Sequence, residues 1–213
     1  MMDQAVRREP SEIEGREAGA VGPASRRRGK ALETAIFEAA LDQLTSGGFA
    51  RMTMEGIAGA AQTGKAALYR RWASKADLII DALGSTLPPP TEVPDLGSVR
   101  SELLQLIQGY GAVMESPVGA AMRALMAELD IERTRDFQEF LNERVIRPAT
   151  AATLGVLRRG ELRGDVRPGA ATGLVADVAP AMLLYRAKVC AGAVDPEFCV
   201  ALVDEVLLPM VRP

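Results

Sequence analysis

An all-α fold is predicted for this 213-residue chain, and three observations predict it. Aromatic residues supply only 4% of the sequence, so a core must be built from Leu, Val, Ile, Met and Ala, a palette that favours helices. Apolar residues recur three and four apart along most of the chain, and few stretches alternate in the β-branched pattern of strands. Pro88, Pro89, Pro90 and Pro94 crowd into Leu87–Leu96 and separate a small N-terminal helical unit from a larger helical body.

The elements follow in order. Residues 1–25 mix charge, Gly and Pro without helical period and read as a disordered extension. From about Arg28, Leu32, Ile36, Ala39, Ala40 and Leu44 fall on one helical face, and Gly47-Gly48 supplies a left-handed stop. Thr53 stands at an N-cap position before Met54–Ala61. A tight break at Gln62-Thr63-Gly64 leads to Lys65–Trp72, whose Leu68 and Trp72 make one buried face. Ser74 and Asp77 have the spacing of a capping box for a fourth helix ending near Gly84. Beyond the prolines, helices are expected near Val99–Glu115, Val118–Asp130, Thr134–Arg159, Pro168–Ala191 and Pro196–Met210. Pro148 must kink or split the third of these, and Gly160 and Gly164-Asp165 break the chain before the last two. The division is thus 1–25, a first unit over 26–84 and a second over 85–213.

Charge narrows the function. The net charge is −3, yet residues 26–81 carry a net +3 while residues 1–25 carry −2 and residues 82–213 carry −4. A basic module on an acidic body suggests that one end meets phosphate. Histidine is absent, and with it the commonest general base; only Cys190 and Cys199 are present, too few for most transition-metal sites. No GxSxG, phosphate-cradling glycine loop or metal cluster appears, so the chain does not read as an enzyme and no cofactor is expected. The two cysteines read as free buried thiols of a cytoplasmic protein, with a disulfide or redox switch as the alternative. No apolar run has the length of a membrane span, and no signal-peptide core stands near the start.

Two short helices joined by a turn of three or four residues form a helix-turn-helix, in which the second helix enters the DNA major groove. With Leu68 and Trp72 turned inward, Ala66, Ala67, Arg70 and Arg71 face outward. Small residues let the backbone approach base edges, and the arginines can pair with guanine or phosphate. Lys65 and Tyr69, one turn apart, form a stripe for phosphate oxygens. Arg28, with Arg26 and Arg27, is either a solvated terminus or an arm reaching the DNA.

The run "TMEGIAGAAQTGKAALYRRWASKADLI" from Thr53 to Ile79, with Ile36, Ala39-Ala40 and Gly48-Phe49 before it, resembles the TetR family of one-component bacterial regulators over about residues 28–82. "RGELRGDV" from Arg159 to Val166 is similar to a turn in one branch of that family. The resemblance implies phosphate contacts by Thr53, Lys65, Tyr69 and Lys75, and base-facing positions for Ala66, Ala67, Arg70 and Arg71. Gln62 replaces the usual turn glycine, and Thr63 the usual small apolar residue. The turn around Gly64 must therefore hold Gln62 in an unusual conformation or adjust, and either polar side chain could instead reach DNA.

The resemblance further implies a C-terminal domain that holds a small-molecule effector and dimerises. Leu104, Tyr110, Met114, Met122, Met126, Phe137, Leu141 and Tyr185 are the candidates to line a pocket for a small apolar or amphipathic ligand, or else belong to the core. Leu174–Val189 and Val200–Leu208 are apolar over too wide an arc for surface helices, as expected of a homodimer built from the last two helices. Two reading heads require a near-palindromic double-stranded operator. A sequence-specific regulator, a repressor released by its ligand, is the function expected; a nonspecific architectural DNA-binding protein is the alternative.

Overall fold

The computed structural model describes residues 29–90, 92–128, 135–190 and 193–213, and among them there are helices and no strands. Arg28 and the 1–25 extension lie outside the described residues. The helices are α1 (Lys30–Gly47), α2 (Met54–Ala60), α3 (Lys65–Tyr69), α4 (Lys75–Thr86), α5 (Val99–Glu115), α6 (Pro117–Glu128), α7 (Arg135–Leu141), α8 (Arg147–Arg163), α9 (Gly173–Lys188), α10 (Pro196–Ala201) and α11 (Leu208–Val211).

Local chemistry sets most boundaries. Thr53 caps α2 by accepting the Gly56 N–H at 3.1 Å. Ser74 and Asp77 complete both halves of the capping box on α4, at 2.9 and 3.2 Å. Gly48 ends α1 with φ 77°, and Glu128 of α6 lies against its Cα while accepting the Ala50 N–H at 2.7 Å. A side chain at position 48 would therefore be strained by its backbone and would also strike the Glu128 carboxylate.

Prolines act differently from expectation. Pro148 does not split the chain: a π-helical turn, Asn142–Ile146, joins α7 to α8, and Arg147 donates to the Asn142 carbonyl five residues back. Widening the turn relieves the clash between a proline ring and the carbonyl four residues earlier. The same device, Leu202–Leu207, precedes Pro209 and joins α10 to α11. Gly160 does not break α8; it is buried because Val166 packs where its side chain would be, and the helix stops at left-handed Gly164 instead. Helix α9 begins at Gly173, later than Pro168, because Thr172 supplies the N-cap.

Burial falls into two cores. The first joins α1–α4 to α6 and α7: Ile36, Leu44, Ile57, Leu68, Leu78 and Leu83 pack with Leu125, Met126 and Phe137. The second packs α5, α8 and α9 with α10–α11, through Leu103, Ile107, Val156, Ala179, Leu202 and Val203. The N-terminal helices thus bury their apolar faces on two helices that lie beyond the proline cluster.

The "RGELRGDV" segment is a structural joint. Arg159 and Arg163 converge on the fully buried Glu102 of α5, at 2.8 and 2.7 Å. Glu161 accepts the Ala171 N–H at 2.9 Å, and Asp165 accepts the Val99 N–H at 2.6 Å. Removing one member of such a buried pair strands the others without a partner. Glu102→Ala is expected to destabilise the fold by about 3 kcal/mol, read as a lower urea midpoint at unchanged slope. Gly48→Ala is expected to lower stability by about 1–2 kcal/mol, since αL strain and contact with Glu128 add.

Candidate nucleic-acid interface and buried cavity

The reading surface is built on the first core. Leu68 is fully buried and Trp72 nearly so, with the Trp72 indole N–H donating to Asp81 at 2.8 Å and its ring set edge-on to Phe37. This anchors α3 by one face. Ala66, Tyr69 and Arg70 are exposed on the other, Tyr69 at 48%, with Gly64, Gln62 and Lys65 beside them and Ala67 and Thr63 half-buried. The turn resolves as the left-handed option: Gln62 takes φ 55°, the one non-glycine residue with positive φ among those described. The Thr63 N–H reaches the Ala58 carbonyl at 2.9 Å, closing the turn.

Helix α3 is shorter than expected. It ends at Tyr69, and the N–H groups of Arg71 and Trp72 both converge on the Leu68 carbonyl, at 2.8 and 2.9 Å. Arg71 follows that tightened turn and has partners of its own. Its guanidinium pairs with Glu33 of α1 and lies 4.7 Å from the Trp72 ring centroid. Lys75 has partners within the chain. Its ammonium donates to the carbonyls of Phe49, Ala50 and Met52, at 2.6, 3.4 and 3.0 Å, and sits over the Phe49 ring, so it ties α4 to the turn after α1. Arg70 forms no ion pair among the described residues.

Lys65 pairs with Glu55 of α2 at 2.6 Å, both side chains in solvent. Their mutual hydrogen bond holds the Glu55 carboxyl below its usual range and the Lys65 ammonium above its own. Thr53 is exposed and uses its oxygen as an acceptor for the α2 cap, which leaves its hydroxyl proton to donate.

A cavity of about 140 Å³ lies at the seam between the two cores. Tyr110 and Met114 of α5, Met122 and Met126 of α6, and Leu141 line it, in company with Leu87 and Pro88–Pro90. The other three pocket candidates stand elsewhere. Phe137 is fully buried and stacked on Phe140 in the first core, Leu104 packs on the second core, and Tyr185 is 53% exposed. None of the three lines the cavity, which residue type does not reveal. Burial pushes the Tyr110 hydroxyl up to about 12, so it stays protonated at neutral pH, and it lies 3.4 Å from the Ala149 carbonyl.

Sequence reasoning missed several wall residues. The proline run was read only as a linker. Arg123 of α6 and Arg144 of the π-helical turn also line the cavity, Arg123 donating to the Met114 carbonyl and Arg144 to the Gly84 carbonyl of α4 at 3.1 Å. Neither arginine carries a local signal; only the irregular turn aims Arg144 at α4. Cys190 also departs from expectation, for it is exposed, whereas Cys199 is buried, and both thiols are free.

The sequence profile of the family described as bacterial regulatory proteins, tetR family, matches residues 36–82. That of the tetracyclin repressor-like C-terminal domain matches residues 93–206, more than half of the chain. The chain belongs to the TetR family. It is 31% identical to the DNA-binding transcriptional repressor TetR of Mycobacteroides abscessus, across 87% of this chain and 97% of that protein. It is 28% identical to an uncharacterized HTH-type transcriptional regulator of Mycobacterium tuberculosis, across 83% and 86%. Among solved structures, a TetR transcriptional regulator from Agrobacterium tumefaciens shares the fold at TM-score 0.67 and 20% identity, over 85% of this chain and 94% of that one. NalD of Pseudomonas aeruginosa, described as the secondary repressor of an efflux pump, does so at 0.63 and 19%, over 86% and 98%. This TetR-family chain is accordingly a DNA-binding transcriptional regulator. Among the described residues no helix is long and apolar enough to cross a membrane.

The two kinds of cation are separable by experiment. Lys75→Ala is expected to lower stability by about 2 kcal/mol, because three carbonyls lose a charged donor. Arg70→Ala is expected to leave stability within about 0.5 kcal/mol and to relax base preference. Thermal unfolding alongside binding to a library of operator variants reads both.

Proposed function

We propose that this regulator is a homodimeric repressor that holds a near-palindromic operator through α3 and lets go when a small ligand enters the cavity between its two cores. The observation that carries the reading is the sidedness of α3. Its apolar face is locked into the first core, and its open face presents small residues, an exposed tyrosine and an arginine with no ion-pair partner among the described residues. Bases are reached by Ala66, Ala67 and Arg70; phosphates by Thr53, Lys65 and Tyr69, with Gln62 and Thr63 at the edge of the groove.

Dimerisation is supported by apolar side chains that one chain leaves in water. Leu174 of α9 is 80% exposed and Val189 66%, with Tyr185 and Val200 on the same pair of elements. An interface of the last two helices with their symmetry mates would bury them. Release by ligand is supported by the placement of the cavity. Its walls include α6, which shares a core with the reading head, so a ligand that prefers one head position biases the other site by differential affinity.

The test is a gel-shift titration on the DNA upstream of the gene, beside a shuffled fragment at physiological salt. A specific shift at dimer stoichiometry supports the reading; equal, salt-sensitive binding to both fragments refutes it in favour of an architectural role. Leu174→Asp with Val189→Asp is expected to give a folded monomer by sedimentation, with operator affinity reduced by about two orders of magnitude as half of the contacts are lost.

A further inference from the structure

The cavity's chemistry points to a class of ligand. Its floor is apolar, formed by Val113, Met114, Val118, Met122 and Leu183. Its ionisable groups are the Arg123 and Arg144 guanidiniums and the neutral Tyr110 hydroxyl; among the described residues no aspartate or glutamate lines it. Two cations facing an apolar chamber favour an occupant that is itself apolar and negatively charged.

Size sets a second limit. A volume of about 140 Å³ is close to the roughly 150 Å³ of an apolar cavity known to hold one benzene ring. The buried body is therefore about one ring, or a short branched chain. The charged end then meets solvent, where Arg144 is exposed, and this keeps the desolvation of the anion small.

Arg144 also has a mechanical role. It donates to the Gly84 carbonyl, near the C-terminal end of α4, the helix whose other end begins beside the α3 reading surface. A guanidinium has five N–H donors in a fixed planar fork, so a bidentate carboxylate reorients it as a unit.

We propose that the ligand is a compact apolar carboxylic acid, its ring or chain in the Met114–Met122 chamber and its carboxylate on Arg144 and Arg123, and that binding draws Arg144 off Gly84 and so frees the end of α4. This rests on the reading of the cavity as the effector site. The head group carries the signal; the apolar body supplies affinity.

The test uses the full chain with para-ethylbenzoate and its neutral isostere para-ethylbenzamide, in calorimetry and in release of a bound operator. The acid is expected to bind about tenfold or more tightly than the amide, the advantage of a charge-assisted over a neutral contact. The acid alone is expected to release DNA. Arg144→Gln keeps a donor for Gly84 without the charge, so it is expected to cut the preference for the acid several-fold, with Arg123 supplying what remains, and to leave the melting temperature unchanged. Arg144→Lys is expected to restore much of that preference. Equal binding of acid and amide, no binding of either, or a preference undiminished in Arg144→Gln overturns the proposal. Failure of the regulator reading would show separately, as no specific operator shift before any compound is added.

Discussion

The burial of the N-terminal helices on α6 and α7 is the constraint on which the rest of the molecule depends. Helices α2 and α3 have seven and five residues, far too short to persist alone in water. They exist because Ile57, Leu68 and Trp72 are packed into a core completed by Leu125, Met126 and Phe137. The reading surface is thus held by the body, and α6 is common ground: Met122 and Met126 belong both to this core and to the cavity wall. Interiors packed at crystal-like density transmit displacements instead of absorbing them. Coupling between the two places needs no special relay, only a shared helix.

The second core is secured differently. Glu102 would be costly to bury alone, and it is tolerated because Arg159 and Arg163 reach it from one face of α8, four residues apart. Arg100 adds a bidentate pair with Asp204 beyond α10, at 2.7 and 2.8 Å. Two arginine-carboxylate joints close the C-terminal bundle at this end, while the cavity end is lined by methionines and the Pro88–Pro90 segment. The two ends of the same bundle are therefore chemically distinct.

Much of this was legible in the sequence, and the failures share a cause. The helix class, the caps at Thr53 and Ser74, the inward Leu68 and Trp72, and the strained Gln62 all follow from contacts within a few residues, where local rules hold. The partner of a charge does not. Arg71 looked free because its carboxylate, Glu33, lies 38 positions earlier on another helix. The bonds from Lys75 to the turn after α1 were invisible because backbone carbonyls have no sequence signature. Pro148 announced a disturbance, but whether a helix kinks or widens depends on what packs around it. Gly160 looked like a breaker because Val166, which fills its missing side chain's place, is six residues away around a turn. Of the methionines and aromatics in the body, the choice between cavity wall and core turned on which side of a seam each helix face met.

The Lys65–Glu55 pair has a consequence for the charge this surface presents. A phosphate that approached Lys65 would compete with a carboxylate already held at 2.6 Å, so an ionic contact there would be exchanged and not gained. The carboxylate acts as a built-in decoy, always present and diluted by nothing. An exposed pair of this kind weakens sequence-independent attraction to a polyanion and leaves Arg70, which has no ion-pair partner among the described residues, unaffected. The surface at α2 and α3 is thus less cationic than its count of basic residues suggests.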